Sequence, residues 1–272
     1  MKSIAYLGPE GTFSDILARQ RFGAAAVCLD SGTIEEVFDR VLGGEAALGL
    51  VPVENSSGGT IYDTMDLLIR HAGKISIREE LVLDIRIALL GRAGPPPRTI
   101  FSHFIQIKHH SAWLKEHHPR AKLVPVASTA VAAKRAAETR NAAALASPGT
   151  AALYGLDVLE FPTDGEPVNV TNFFVIARKP ATTRKPARTA LIAALRNECG
   201  SLHKFLGPFA RERVSLTRIV SRPVPGQPQT YVFYVEIEGG SPAVKRAIGR
   251  AGKIARSLTC LGVFPVGRRF CS

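Results

Sequence analysis

The sequence predicts an α/β protein with two lobes and a smaller C-terminal α/β sandwich, and three observations support this fold class. Between residues 3 and 178, short apolar runs typical of strands alternate with segments of helical periodicity, as in two α/β lobes. A polar, proline-bearing stretch at 180–187 is typical of a domain linker. Beyond it, the predicted order β-α-β-β-α-β is that of a ferredoxin-like sandwich. We therefore divide the chain into domains at 1–179 and 188–272.

The N-terminal domain opens with a β-turn-α unit, formed by a strand at 3–7, the glycine turn Gly8–Gly11 and a helix that ends near Phe22. The apolar run 46–53 predicts a strand that is covered on both faces of its sheet. Further strands are predicted at 75–90, 99–102, 122–126, 142–146 and 172–178, and helices at 33–42, 105–117, 129–139 and 148–154. We expect the last strand to return to the first lobe, which leaves a cleft between the lobes for a ligand.

In the C-terminal domain the same patterns predict four strands and two helices. The strands are expected at 188–195, 215–221, 230–237 and 260–266, and the helices at 201–212 and 242–257. A turn rich in Pro and Gly separates the second strand from the third.

The composition is that of a globular protein. Its 272 residues, 46% of them hydrophobic and 21% charged, are enough to form two domains with cores of their own. The longest apolar stretches fall far short of the ~20 residues that a membrane helix needs. Residues 1–11 lack the apolar region and the cleavage site of a signal peptide. We therefore expect a cytoplasmic enzyme that does not act at a membrane.

The net charge of +12 and the pI near 9.9 indicate anionic partners. Because the Lys and Arg residues are spread along the chain and do not cluster with aromatic residues, a small anionic substrate is favoured over specific binding of nucleic acid. The cysteines, Cys28, Cys199, Cys260 and Cys271, have no CxxC or Cys/His ligand spacing. The sequence therefore predicts no metal site, no disulfide framework and no cofactor.

Four short polar segments interrupt apolar strands or open helices. They are Gly8–Ser14, Glu54–Thr60, Ser102–His103 together with Ser128–Thr129, and Asn169–Asn172. Hydroxyl, amide and N–H groups at strand ends can bind carboxylate oxygens without a cofactor. Each segment alone is weak evidence, because Ser14, Ser128 and Thr129 can also be simple helix caps.

In their order along the chain, these segments resemble the motifs of the prephenate dehydratase family with a C-terminal ACT domain. The resemblance rests on GPEGTFS at 8–14, VPVENSSGG at 51–59, DLL at 66–68, SH at 102–103, STAVAA at 128–133, YGLDVL at 154–159 and NVTNF at 169–173. It continues through CGSLHKFLGPFARERVSLTRIVSRP at 199–223, which is similar to the family's ACT segment. It thus covers nearly the whole chain, and no single motif has to support it.

The resemblance implies a catalytic domain like a type II periplasmic-binding protein, which converts prephenate to phenylpyruvate with loss of water and carbon dioxide. It implies that Thr171 is the catalytic residue, as hydrogen-bond donor or acid to the leaving hydroxyl group. Asn55 and Ser56 would hold carboxylates or the keto group, and Glu54 would orient these groups. The remaining substrate-binding candidates are Thr12, Arg86, Ser102, His109, Asn172 and Phe173.

Three positions depart from the family pattern. The family's Thr-Arg-Phe is Thr-Asn-Phe here, so Asn172 replaces a guanidinium beside the catalytic Thr. His109 stands where the family has a glutamine, and Arg86 stands where it usually has a histidine. One interpretation is a prephenate dehydratase in which Arg86 or His109 supplies the relocated charge. One alternative is a relative that acts on another cyclohexadienyl acid, as an arogenate dehydratase does, or that stops at decarboxylation without loss of the hydroxyl group, as a prephenate decarboxylase does. The other alternative is a ligand sensor without catalysis.

The C-terminal domain also departs from the family. The resemblance implies an allosteric site for phenylalanine at Gly200, Ser201, Leu202, Ser221 and Arg222. Members that bind phenylalanine usually have Glu-Ser-Arg-Pro, whereas Val220 precedes Ser-Arg-Pro here. Phenylalanine as an effector is therefore one hypothesis, and a domain that only joins subunits is the other. The packing of ferredoxin-like sheets predicts a homodimer or homotetramer.

Overall fold

The computed structural model describes residues 2–23, 25–162, 169–180, 188–224 and 230–272. The predicted linker at 180–187 lies outside the described residues apart from Pro180. None of the helices in these ranges is long and apolar enough to cross a membrane.

Helices and strands alternate along most of the described chain. The strands are β1 (Ser3–Leu7), β2 (Val27–Ser31), β3 (Leu48–Asn55), β4 (Gly59–Thr60), β5 (Ser76–Asp84), β6 (Ala88–Gly91), β7 (Thr99–His103), β8 (Lys122–Val126), β9 (Ala142–Ala146), β10 (Asp157–Glu160), β11 (Val170–Ala177), β12 (Arg188–Ala194), β13 (Leu216–Pro223), β14 (Tyr231–Glu238), β15 (Ser257–Phe264) and β16 (Val266–Cys271). The helices are α1 (Phe13–Phe22), α2 (Ile34–Gly43), α3 (Tyr62–Arg70), α4 (Phe104–His109), α5 (Ser111–His117), α6 (Thr129–Glu138), α7 (Ala151–Tyr154), α8 (Ser201–Arg211) and α9 (Pro242–Gly252).

The first lobe is built on a seven-stranded sheet with the order β16-β5-β11-β3-β1-β2, to which β4 adds by pairing with β3. Strand β11 returns from the second lobe and pairs antiparallel with both β3 and β5, as the sequence predicts. The apolar strand β3 is buried on both faces, since Val51 and Val53 pack in one core and Leu50 packs in the other. The continuous apolar pattern of this strand therefore has a structural cause.

The second lobe is built on a five-stranded sheet with the order β10-β6-β9-β7-β8. The prediction of one long strand at 75–90 is wrong, because β5 belongs to the first sheet and β6 to the second. Between them the chain crosses from lobe to lobe, and the Ile85 N–H bonds to the Asn169 carbonyl at 2.7 Å on the returning segment. The helix predicted at 105–117 is also divided, into α4 and α5, at the buried residue His110. Two lobes joined by two crossings confirm the predicted fold class.

The C-terminal domain has the predicted order β12-α8-β13-β14-α9-β15, with an antiparallel sheet of order β13-β14-β12-β15. One face of this sheet packs with Phe205 and Phe209 of α8 and with Ala247 of α9. The other face contributes Ile192 and Tyr234 to the core of the first lobe. The ferredoxin-like sandwich is therefore covered on one side by its own helices and on the other by the N-terminal domain. The boundaries at 179 and 188 stay a prediction.

A further strand, β16, follows the last strand that the sequence predicts. Strand β16 leaves the C-terminal sheet and pairs parallel with β5 of the first lobe. Gly267 permits the approach, since a Cβ atom at this position would lie 2.2 Å from the backbone oxygen of Glu80. The sequence pattern does not predict β16, because its glycine and its two Arg residues break the apolar alternation by which strands are recognised.

Gly267→Ala is expected to lower the free energy of unfolding by about 1–3 kcal/mol, because the added methyl group forces β16 away from β5. Urea unfolding followed by circular dichroism measures the change. Gly249→Ala is the matched control, since Gly249 lies exposed on α9 with open space around its Cα; it is expected to be neutral or to add up to about 1 kcal/mol. Equal stability of Gly267→Ala and the wild type would contradict the docking of β16.

Candidate active site

A cavity of about 560 Å³ lies between the two lobes. The carboxyl ends of β1, β2, β3, β7 and β8 meet there, where ligands bind in open α/β sheets. The polar side chains on its wall are Thr12, Ser14, Asp30, Ser31, Asn55, His103, Gln106, Ser128, Thr129 and Thr171. Apolar side chains such as Phe13, Ile61, Ile85 and Phe173 form most of the remaining wall.

Thr171 and Asn55 face each other across the antiparallel pair β11 and β3. The Asn55 Nδ2 donates to the Thr171 Oγ1 at 2.9 Å, and also to the Asn169 Oδ1 at 2.9 Å. The Asn55 Oδ1 accepts from the backbone N–H groups of Ser57 at 2.9 Å and Gly58 at 2.8 Å. These four contacts fix the amide orientation and give Thr171 an incoming hydrogen bond. The Thr171 hydroxyl is therefore left to donate its own proton into the cavity.

Ser56 ties the turn after β3 to the start of β11. Its Oγ accepts from the Val170 N–H at 2.9 Å, and its own N–H donates to the Val170 carbonyl at 2.8 Å. Ser56 is not among the residues that line the cavity. Its position fits the support of the Asn55 and Thr171 pair better than direct contact with a ligand.

The N-termini of α1 and α6 both open onto the cavity. The Thr12 hydroxyl accepts from the Asp15 N–H at 3.3 Å and donates to the Leu7 carbonyl at 2.9 Å, so it serves as the cap of α1. The Ser128 hydroxyl caps α6 by accepting from the Val131 N–H at 3.1 Å. The first N–H groups of each helix have no acceptor inside the helix and carry the positive end of its dipole. This arrangement can bind an anion without a cationic side chain.

Two buried acceptors on the cavity wall have no hydrogen-bond partner among the described residues, and neither is among the site residues that the sequence predicts. They are the Ser31 Oγ and the Gln106 Oε1. Gln106 lies on α4 in the segment after Ser102-His103, three residues before His109, which the resemblance places at the family's glutamine. Ser31 ends β2, a strand that the sequence pattern does not predict. Both atoms can accept a hydrogen bond from a ligand.

His103 also lines the cavity, at the end of β7. Burial lowers the pKa of His103 below its usual value, which favours the neutral imidazole at pH 7. Its neighbour Ser102 does not reach the cavity, because the buried Ser102 hydroxyl donates to the Leu145 carbonyl at 2.7 Å and ties β7 to β9. His103, and not the predicted Ser102, therefore lies at the cavity.

The relocated charge that the sequence led us to expect at Arg86 or His109 does not lie at the cavity. Both residues are exposed and outside the lining, and the Arg86 N–H binds the Ser272 Oγ at 2.8 Å near the end of the chain. His109 lies on the outer side of α4, because this helix turns Ile105 and Gln106 toward the cavity. Among the described lining residues none is Lys or Arg.

Asn172 and Glu54 lie on the opposite face of the sheet from Thr171. Successive side chains of a strand alternate between faces, and Thr171 and Phe173 both line the cavity. Asn172 pairs with Glu54 in the register of β11 and β3. The Glu54 Oε2 accepts from Arg218 of β13 at 2.8 and 3.1 Å, so this carboxylate faces the C-terminal domain and not the cavity.

The expected allosteric residues occupy two parts of the C-terminal domain. Gly200 precedes α8 with a left-handed backbone (φ +76°), Ser201 begins the helix, and Leu202 packs partly buried against the core of the domain. Ser221 and Arg222 lie on β13. The Arg222 guanidinium donates to both oxygens of Asp66 on α3 at 2.6 Å and stacks over Tyr62 at 4.6 Å. Arg222 thus joins the C-terminal domain to the first lobe. No group of His, Cys, Asp and Glu among the described residues is arranged to hold a metal ion.

Comparisons with known proteins agree with this geometry. The sequence pattern of the prephenate dehydratase family matches residues 4–181. A bifunctional chorismate mutase/prephenate dehydratase of Stutzerimonas stutzeri is 37% identical over 269 residues, which are 96% of this chain and 73% of that protein. The structure of a prephenate dehydratase of Arthrobacter aurescens in complex with L-Phe superposes with a TM-score of 0.88, at 29% identity, over 97% of this chain and 90% of that one.

A second solved structure, of the quorum-quenching acylase GqqA, superposes with a TM-score of 0.86 at 28% identity and covers 98% of both chains. The same fold therefore occurs under a different activity. The family pattern includes both strands that carry Asn55 and Thr171. With this pattern over more than half of its length, and with relatives above 30% identity over nearly all of it, the chain belongs to the prephenate dehydratase family.

Proposed function

We propose that this protein converts prephenate to phenylpyruvate with loss of water and carbon dioxide. The observation that carries the proposal is the Thr171 hydroxyl, 8% exposed at the wall of the interlobe cavity and oriented by the Asn55 amide. The cavity is of the size of a small-molecule site.

In the proposed reaction the C1–carboxylate bond breaks, its electrons move through the ring, and the C4–oxygen bond breaks as the ring becomes aromatic. The leaving oxygen needs one proton to depart as water, and Thr171 donates a hydrogen bond or a proton to it. An alcohol is a weak acid, so water must restore any proton that Thr171 gives up. The Asn55 Nδ2 donates a hydrogen bond to the Thr171 Oγ1 and thereby occupies one of its lone pairs. The Thr171 O–H can then point toward the substrate.

The substrate carboxylate that remains in the product requires an anion site. The N-termini of α1 and α6 supply N–H groups there, and Ser128 and Thr129 add hydroxyl donors on the cavity wall. The Thr12 hydroxyl lies at the same wall but already donates to the Leu7 carbonyl. The apolar neighbours Phe13, Ile85 and Phe173 exclude water around the ring. In such surroundings helix dipoles act more strongly than they do in water.

Thr171→Val is expected to lower kcat by about 10²- to 10⁴-fold, because it removes the donor and keeps the shape of the side chain. Thr171→Ser is the matched control: it keeps the hydroxyl and is expected to stay within about tenfold of the wild type. A proton NMR time course with prephenate identifies phenylpyruvate as the product and gives the rate. An unchanged rate in Thr171→Val would exclude Thr171 as the catalytic residue, and the absence of phenylpyruvate with the wild type would refute the function.

The same assay with L-arogenate tests a second candidate, an arogenate dehydratase. Arogenate has an ammonium group where prephenate has a keto oxygen. The cavity wall offers the acceptors Ser31 Oγ and Gln106 Oε1, which have no partner among the described residues, and the exposed carboxylate of Asp30. No Lys or Arg among the described lining residues competes with an ammonium group there. A higher kcat/KM for arogenate than for prephenate decides for this candidate, and the reverse ratio decides for prephenate.

We further propose that L-phenylalanine regulates the protein through the C-terminal domain, in a homo-oligomer. A related structure was determined in complex with L-Phe, and Gly200, Ser201, Ser221 and Arg222 fall in the segments where the family resemblance implies the effector site. The alternative is a C-terminal domain that only joins subunits.

Saturating L-phenylalanine is expected to raise the thermal midpoint by several degrees, because a ligand at 100 times its Kd stabilises the folded state by about 2.7 kcal/mol. Differential scanning fluorimetry measures the shift, with D-phenylalanine as the matched control. No shift with the L-isomer, or an equal shift with both isomers, would contradict regulation by phenylalanine.

A further inference from the structure

Arg218, on β13 of the C-terminal domain, lies in a cluster of carboxylates where the two domains meet. Its side chain is 9% exposed and contacts Glu54 of β3, Glu80 of β5 and Glu236 of β14. The shortest of these distances are 2.8 Å to the Glu54 Oε2 and 3.0 Å to the Glu236 Oε2. The Glu80 Oε1 lies 3.5 Å away, within range of ion-pair attraction. Arg218 is therefore bound to both domains at once.

A second arginine completes the cluster from the same domain. Arg188 Nη1 bonds to the Glu80 Oε2 at 2.6 Å and to the Glu236 Oε1 at 2.8 Å. Glu80 and Glu236 are almost fully buried, so removal of either arginine would leave buried carboxylates with fewer partners. Glu54 differs from them, because its side chain is 40% exposed and its ion pair, within the described part of the chain, is with Arg218.

Glu54 connects this cluster to the active site through one peptide bond. Its neighbour on β3 is Asn55, whose Nδ2 donates to the Thr171 Oγ1 at 2.9 Å on the cavity side of the sheet. A guanidinium that holds the Glu54 carboxylate on one face therefore fixes the end of β3 from which the Asn55 amide projects on the other face. Such a support matters because a small displacement of a catalytic group has a large effect on rate.

The position of Asn172 explains why the support comes from the C-terminal domain. Asn172 is the register partner of Glu54, and its side chain shares a face with Glu54 and with Phe174. The Arg218 guanidinium lies 5.7 Å from the centre of the Phe174 ring, directly above this part of the sheet. An arginine at 172 would reach the same carboxylate from within the catalytic domain, but Asn172 is too short and carries no charge.

We propose that Arg218 is a positioning residue for the reaction: its guanidinium, supplied by the C-terminal domain, holds Glu54 and thereby the Asn55 amide that orients Thr171, in place of a charge at 172. The catalytic site is then completed by the C-terminal domain within one chain. This inference rests on the proposed dehydration, since its consequence is measured as a rate.

The test compares Arg218→Met with the wild type in steady-state kinetics on prephenate. Kcat is expected to fall about tenfold or more, which is the effect of losing one charge-assisted contact, while KM changes by less than about threefold. The sharper arm is rescue: Asn172→Arg in the Arg218→Met background is expected to recover at least half of the lost kcat on a logarithmic scale, because it returns a guanidinium to the register partner of Glu54.

The matched control is Arg269→Met. Arg269 of β16 pairs with Asp84 of β5 at 2.7 Å, so it also bridges the C-terminal segment and the first sheet, but its side chain is 62% exposed and does not contact Glu54. The kcat of Arg269→Met is expected to equal that of the wild type. A fall in kcat for Arg269→Met as large as that for Arg218→Met would assign the effect to general loosening of the junction.

Arg218→Met also removes a partner of the buried Glu80 and Glu236 and can lower stability, so Glu54→Gln provides an independent variant. Glu54→Gln removes the ion pair between Glu54 and Arg218 and leaves the ion pairs of Glu80 and Glu236 intact. The same fall in kcat as for Arg218→Met is expected, and combining Glu54→Gln with Arg218→Met is expected to cause no further fall. Wild-type kcat in folded Arg218→Met, or in Glu54→Gln, would overturn the inference, as would a failed rescue by Asn172→Arg. Loss of the proposed function itself is distinguishable, because the wild type would then form no phenylpyruvate.

Discussion

The insertion of β11 between β3 and β5 is the constraint on which the site depends. Residue 171 is 116 positions after Asn55 in the chain, and the antiparallel register alone brings the two side chains to 2.9 Å. The same insertion joins the lobes a second time, so that the cavity has walls from both. It also gives the two faces of the sheet different roles, because the Thr171 side chain faces the cavity and the Asn172 side chain faces the C-terminal domain. A one-residue slip of β11 would exchange these two roles.

The distribution of charge follows from this division. On the cavity side, helix N-termini and hydroxyls take the place of cationic side chains, and no Lys or Arg is found among the described lining residues. On the opposite side, two arginines and three carboxylates join the domains in a largely buried cluster. The excess of positive charge in the sequence therefore does not translate into a cationic active site. Burial and the charge of Glu236 raise the pKa of Glu80, which is the mark of carboxylates held close together.

The sequence was sufficient for the fold class, because strand and helix periodicities are local. It also predicted Asn55 and Thr171, which the structure brings into contact, from motif segments of which the second has Asn172 in place of Arg. Prediction from the sequence failed where the role of a residue depended on the face of the sheet that its side chain occupies. Alternation in a strand places Asn172 away from the cavity, so a charge that replaces the missing guanidinium is not expected around the substrate, where Arg86 and His109 were predicted to lie. The strand β16 and the acceptors Ser31 and Gln106 were missed for a related reason, since only tertiary pairing gives polar or irregular segments their role.

The central claim is that the Asn55 amide acts on the reaction only through Thr171. A kinetic double-mutant cycle tests it most directly, with Asn55→Asp, which removes the Nδ2 donor but retains an acceptor for the Ser57 and Gly58 N–H groups. The account predicts that Asn55→Asp lowers kcat for prephenate in the wild type and leaves kcat unchanged, within about twofold, in the Thr171→Val background. Effects that multiply in the double variant would contradict it.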